Sequence, residues 1–123
     1  MNILLVEDNP SHVKLMSVVL NAAGNSVSSV ETAEQTFAAI RSNQPEIILL
    51  DLALPGMDGL TLVRRLKADP ESRRIPVVAV TAFPDLWGRQ NALDAGCDEY
   101  LLKPLDTRSI AGRLSAIAGH GVN

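Results

Sequence analysis

Short apolar segments alternate with amphipathic segments along the chain, as expected when strands and helices alternate. The apolar segments predict five β-strands, over residues 2–6, 26–30, 46–50, 76–80 and 98–102. The first, third and fourth are nearly continuous runs of Val, Ile, Leu and Ala, which is typical of parallel strands covered on both faces. The second alternates with Ser and the fifth begins with charged residues, so we expect these two strands at the edges of the sheet.

The segments between the strands carry apolar residues at helical spacing. They predict five helices, the first from Pro10 to just before Gly24 and the others over about 33–43, 59–68, 85–95 and 107–118. Asp8 or Asn9 can cap the first helix, because both side chains accept backbone N–H groups and proline is favoured in a first turn. Strand and helix alternating five times predict an α/β fold, a doubly wound parallel sheet with helices on both faces.

The composition fits one soluble globular domain. The chain has 123 residues, of which 46% are hydrophobic and 20% charged, and its net charge is -3. Without a basic stripe we expect no direct contact with nucleic acid. No apolar run approaches the roughly 20 residues that span a membrane, and a single cysteine, Cys97, fits a reducing compartment. We therefore expect a cytoplasmic protein without membrane contact, folded over residues 1–118 and frayed over 119–123.

Polar residues follow the carboxyl ends of four predicted strands. These ends meet at one edge of a parallel sheet, where ligands bind in such folds. The polar residues at this edge are Glu7, Asp8, Asp51, Thr81 and Lys103. Taken alone, each has an ordinary explanation as a helix cap, a turn residue or a surface lysine. Independent caps do not account for carboxylates, a hydroxyl and an ammonium at the same edge, so we interpret the set as a functional site.

The residue types at this edge point to phosphoryl transfer. Three neighbouring carboxylates cannot all stay ionised without a cation, and oxygen ligands with open positions suit Mg²⁺. A hydroxyl and an ammonium donate to the oxygens of a phosphoryl group. The pattern predicts Asp51 as the nucleophile, with a metal and Lys103 stabilising the charge that develops.

Four segments in this order and spacing resemble one known family. They are VEDN at 6–9, ILLDLALPGMDG at 48–59, PVVAVTA at 76–82 and AGCDEYLLKP at 95–104. Together they resemble the receiver domain of bacterial two-component response regulators, and the resemblance covers essentially the whole chain. It implies a flavodoxin-like sheet of five parallel strands in the order 2-1-3-4-5, with five helices. The length is similar to that of stand-alone, DivK-like single-domain regulators.

The resemblance also implies a role for the acidic residues. Asp51 would accept a phosphoryl group from a histidine kinase or a phosphotransfer protein. Mg²⁺ would be bound by Asp8 and Asp51, by Glu7 through water, and by the backbone carbonyl of Ala53. The chain would then be a signalling switch that catalyses its own phosphorylation and dephosphorylation, and not an enzyme with a separate substrate.

Further residues have roles implied by the same resemblance. Thr81 and Lys103 would bind the phosphoryl oxygens, and Tyr100 would move inward as Thr81 closes. Pro104 would hold the Lys103 peptide in an unusual, often cis, geometry, unless it is an ordinary proline before a helix. The fourth helix, fifth strand and fifth helix would form the face that a downstream protein target reads. We expect Trp87 beside that face, as a partner contact or as a cover for the edge of the core.

Other functions make different demands on the same residues. A phosphatase with an aspartyl-phosphate intermediate wants a second acid two residues after the nucleophile, where Ala53 stands. A flavin-binding protein of the same topology wants a Ser-, Thr- or Gly-rich loop where the chain has EDNPSH. A receiver that acts only as a phosphate sink or adaptor shares the chemistry and differs in its partners. Ala53, which has no side chain to shield or orient an attacking water, and Phe83, which is large and apolar, would flank the acyl phosphate and influence its lifetime.

Overall fold

The structure is a computed structural model that describes residues 1–119. Its strands are β1 (Asn2–Val6), β2 (Ser26–Val30), β3 (Ile47–Asp51), β4 (Ala53–Leu54), β5 (Met57–Asp58), β6 (Val77–Thr81) and β7 (Glu99–Leu102). Its helices are α1 (Pro10–Ala22), α2 (Ala33–Ser42), α3 (Gly59–Ala68), α4 (Arg89–Ala95) and α5 (Ile110–Ile117). Apart from Gly119, the predicted tail lies outside the described residues.

Five of these strands form one parallel sheet. Its order is β2-β1-β3-β6-β7, and β4 and β5 pair with each other as an antiparallel hairpin. Because β6 and β7 are the fourth and fifth strands of the main sheet, the predicted order 2-1-3-4-5 is confirmed. The edge positions of β2 and β7 agree with their more polar sequences. The almost uninterrupted apolar strands β1, β3 and β6 lie in the centre.

Alternate side chains of the central strands enter two separate cores. Leu5 and Leu49 belong to the core beneath α1 and α5, whereas Val6 and Leu50 belong to the core beneath α2, α3 and α4. This alternation follows from the strand period of two and explains why the central strands are apolar on both faces. Within the described residues, no helix is long and apolar enough to cross a membrane.

Two predicted helices begin later than their apolar spacing suggested. The fourth helix was expected from residue 85 and begins at Arg89, because Leu86 and Trp87 form turns with the carbonyl of Phe83. The fifth was expected from residue 107 and begins at Ile110, after turns that close on Asp106. Gly88 is the N-cap residue of α4 and provides no side chain to hold the first turn.

The connection from β3 to α3 was predicted as a turn and contains the hairpin of β4 and β5. Ala53 pairs with Asp58 in this hairpin, which brings the chain back so that the N–H of Gly59 donates to the carbonyl of Leu52 at 3.0 Å. A Cβ atom on Gly59 would lie 2.5 Å from Cα of Leu52. Only glycine therefore allows α3 to start this close to the end of β3.

We expect Gly59→Ala to lower the free energy of unfolding by about 1–3 kcal/mol, because the added methyl group meets backbone that cannot move aside. Urea unfolding measures the change. Gly112→Ala is the matched control, since Gly112 lies within α5 with open space around it and alanine there favours the helix by up to about 1 kcal/mol. Equal midpoints for Gly59→Ala and the wild type would contradict the close approach.

Candidate functional site

The predicted polar residues lie at the carboxyl edge of the main sheet. Val6 pairs with Leu50 across β1 and β3, so Glu7 and Asp51, which directly follow these partners, stand side by side. Asp51 and Thr81 were expected just after their strands and are in fact the last strand residues. Glu7, Asp51 and Thr81 are all buried, with 4%, 8% and 0% of their surface exposed.

The ammonium group of Lys103 lies at the centre of this edge. Its Nζ atom is 2.6 Å from Oε1 of Glu7 and 2.6 Å from Oδ2 of Asp51. A third neighbour is Nδ1 of His12, at 3.1 Å. One cation thus pairs with two neighbouring buried carboxylates and offsets one of their two negative charges, which would be costly to bury unpaired.

The shared ammonium changes the acidity of all three charged groups. Burial raises the pKa of Asp51, and the charge of Glu7 adds to this, against hydrogen bonds from Lys103 and a backbone N–H. Burial acts in the same direction on Glu7, but hydrogen bonds from Lys103 and the Asn9 backbone outweigh it, so that its pKa lies below the usual value. Burial opposes the charge of Lys103, yet its two carboxylate partners hold its pKa above the usual value.

Backbone groups fix the two buried carboxylates from the other side. Oδ1 of Asp51 accepts the N–H of Ala53 at 2.8 Å, and Oε2 of Glu7 accepts the N–H of Asn9 at 3.2 Å. The side chain of Asn9 caps α1 by accepting from the N–H groups of Ser11 and His12. The cap is therefore Asn9 and not Asp8.

Asp8 is exposed and takes no part in this pairing. Among residues 1–119, the His, Cys, Asp and Glu side chains form no group of three that could hold a metal ion as they stand. The predicted cluster of three carboxylates is thus a pair, Glu7 and Asp51, closed by Lys103. The oxygens of this pair nevertheless converge on one positive charge, and Asp8 lies next in the chain, so the donor types fit a hard cation such as Mg²⁺.

Thr81 and Lys103 are held at the same edge by local backbone geometry. The carbonyl of Thr81 accepts the N–H of Lys103 at 2.9 Å, which joins the ends of β6 and β7. The hydroxyl oxygen of Thr81 accepts the N–H of Phe83 at 2.9 Å, so it closes a turn and does not cap α4. The peptide bond between Lys103 and Pro104 is cis, as the resemblance implied.

Tyr100 and Trp87 connect the end of the sheet to the neighbouring loops. Tyr100 is buried, and its hydroxyl donates to the carbonyl of Trp87 at 2.6 Å. The indole N–H of Trp87 donates to Oδ1 of Asp58 at 3.1 Å, and the same oxygen accepts the N–H of Leu60 to cap α3. The ring of Trp87 also meets that of Phe83 edge to face. Trp87 is half-buried and packs partly against the core.

One residue of the site was not predicted from the sequence. His12 lies in the first turn of α1, with Nδ1 3.2 Å from Oε1 of Glu7 and 3.1 Å from Nζ of Lys103. The available signal was its place, three residues after the cap Asn9, on a helix that begins at the sheet edge. Beside it a cleft of about 330 Å³ opens between α1 and the loop after β7.

The chain is similar to known proteins over almost its whole length. The family profile of the response regulator receiver domain matches residues 3–115. Response regulator PleD of Caulobacter vibrioides is 37% identical over 115 residues, which are 94% of this chain and 25% of PleD. The phosphate regulon transcriptional regulatory protein PhoB of Pseudomonas aeruginosa is 36% identical over 94% of this chain and 50% of PhoB.

The chain thus spans a quarter to a half of the length of these curated relatives. Among solved structures, the receiver domain of sensor histidine kinase PA1611 from Pseudomonas aeruginosa, described with a magnesium ion coordinated in its active site cleft, superposes with a TM-score of 0.86. It is 33% identical, and the match covers 96% of this chain and 97% of that one. The chain therefore belongs to the response regulator receiver domain family, the signalling modules of two-component systems.

Proposed function

We propose that Asp51 accepts a phosphoryl group from the phosphohistidine of a histidine kinase or a phosphotransfer protein. The P–N bond of the donor breaks, a P–O bond to the Asp51 carboxylate forms, and the donor imidazole leaves. The observation that supports this proposal best is the buried Asp51 carboxylate, whose Oδ2 lies 2.6 Å from the Lys103 ammonium. A positioned cation next to a nucleophile stabilises the negative charge of a transferring phosphoryl group.

The proposal includes a requirement for Mg²⁺. Asp8, Asp51 and the carbonyl of Ala53 would bind it directly and Glu7 through water, which are the oxygen ligands that Mg²⁺ prefers. The bound ion would supply positive charge next to the phosphoryl oxygens. Asp8 is exposed at the rim, so it is available for such a ligand role without breaking an existing contact among the described residues.

We also propose how phosphorylation would reach a partner. The hydroxyl of Thr81 would leave the N–H of Phe83 and bind a phosphoryl oxygen. Lys103 would leave the Asp51 carboxylate and bind a second phosphoryl oxygen. The loop after β6 would then move, and with it Trp87 and Tyr100. The face formed by α4, β7 and α5 would carry the change to a downstream protein target.

Receiver domains act as signalling switches, which fits a chain without a separate substrate. A location in the cytoplasm is part of the proposal, and the single, buried thiol supports it. By its chemistry, the kinase is a phosphohistidine donor. The target is a protein that binds the face formed by α4, β7 and α5.

We expect Asp51→Asn to abolish phosphoryl uptake, because an amide is not a nucleophile for this transfer. Phosphorylated donor and Mg²⁺ should label the wild type at an acid-labile site, measured by intact mass. Asp85→Asn, an exposed change in the turn before α4, is the matched control and should label normally. Label that persists in Asp51→Asn would contradict the assignment.

We expect Asp8→Ala to remove Mg²⁺-dependent phosphorylation while changing the free energy of unfolding by less than about 0.5 kcal/mol, as is usual for exposed positions. The metal dependence is measured by labelling at increasing Mg²⁺, and the stability by urea unfolding without metal. Asp85→Ala serves as the control for loss of one exposed carboxylate. A marked loss of stability in Asp8→Ala would show that this residue serves the fold instead.

We expect the fluorescence of Trp87 to report the switch, since it is the only tryptophan and links Tyr100 to Asp58. Beryllofluoride with Mg²⁺ should change its intensity in the wild type and leave Asp51→Asn unchanged. Trp87→Phe keeps an aromatic ring but removes the indole hydrogen bond and a part of the packing, and loss of the hydrogen bond should cost about 0.5–1.5 kcal/mol of stability. Unchanged fluorescence together with a larger loss in Trp87→Phe would identify Trp87 as a core residue.

A further inference from the structure

Lys103 has three N–H donors and, in this structure, three polar neighbours. An ammonium group can donate three hydrogen bonds and accept none. Two of its neighbours are the carboxylates of Glu7 and Asp51, at 2.6 Å each, and the third is Nδ1 of His12, at 3.1 Å. When Nδ1 carries no proton, all three donors of Lys103 are used before any phosphoryl group arrives.

The contact between Lys103 and His12 depends on where the imidazole proton lies. Nδ1 of His12 is within 3.2 Å of Glu7 as well as of Lys103. Since Lys103 can only donate, the two groups form a hydrogen bond when Nδ1 carries no proton, whereas a proton on Nδ1 would be donated to Oε1 of Glu7 instead. We take the first arrangement, with the ring proton on Nε2, as the basis of the inference.

The proposed reaction alters two of the three acceptors and leaves the third unchanged. The carboxylate of Asp51 loses its charge when it becomes an acyl phosphate, and the carboxylate of Glu7 would face the metal ion. His12 joins neither the phosphoryl group nor the metal. It is thus the acceptor that stays available to Lys103 in both states.

We propose that His12 is a positioning residue for phosphoryl transfer, which holds the Lys103 ammonium at the sheet edge through Nδ1 while Asp51 and Glu7 exchange partners. The inference rests on the proposed function, because it concerns the loaded site. It adds a residue from α1 to a site otherwise built from the ends of the strands. The half-exposed imidazole, with 47% of its side chain accessible, touches no reacting atom and acts through Lys103.

The first test uses the protein without metal or phosphate. Nitrogen NMR of the His12 ring should show Nδ1 without a proton and Nε2 with one. The Lys103 ammonium protons should exchange with water about three- to tenfold faster in His12→Leu, as expected for loss of one hydrogen bond. His12→Gln keeps an acceptor oxygen and should restore slow exchange. Asn21→Leu, an exposed polar-to-leucine change on α1, is the control and should not alter it.

The second test measures beryllofluoride binding with Mg²⁺, read from protein fluorescence. We expect His12→Leu to weaken binding by about three- to tenfold and His12→Gln to recover most of it. Equal losses in both variants, unchanged exchange in His12→Leu, or a proton on Nδ1 would overturn the proposal. If the wild type takes up no label on Asp51, the proposed function fails, and the exchange and tautomer measurements still decide whether His12 holds Lys103.

Discussion

The site depends on one ammonium group shared by two buried carboxylates. Glu7 and Asp51 follow paired residues of β1 and β3, so the register of the sheet forces them together whether or not a cation is present. Two ionised acids in such a place require an opposite charge, and Lys103 supplies it from the end of β7. Lys103 offsets only one of the two negative charges, and the charge that remains is the one that the proposed Mg²⁺ would balance.

The loops on the two sides of the Lys103 ammonium differ in how firmly they are held. On one side the β4–β5 hairpin and the close approach of Gly59 to Leu52 bind the start of α3 to the end of β3. On the other side β6 is followed by turns with exposed side chains, among them Phe83 and Leu86, and α4 begins without a side-chain cap. The two sides meet in the hydrogen bond from Trp87 to Asp58.

The sequence predicted the sheet well because apolar runs and strand order follow from burial. It predicted Asp51, Thr81 and Lys103 at one edge because parallel strands end together. It did not predict the late start of α4, since Leu86 and Trp87 look helical by spacing while their N–H groups close turns on Phe83. The pairing of only two acids, and the contact of His12 with Lys103, depend on side-chain positions that spacing along the chain does not reveal.

The difference in how firmly these loops are held determines which side of the sheet would respond to a change at Asp51. A change at Asp51 requires the chain to move on one side of the site. The β4–β5 hairpin could move only if the backbone segments in contact at Gly59 separated. The turns between Thr81 and α4 have few buried contacts to lose, and regions of this kind rearrange at low free energy. Because Tyr100 is bonded to the carbonyl of Trp87, any shift of these turns changes what β7 and α4 present to the surface. The response is therefore expected on the α4 side of the sheet, next to the single tryptophan.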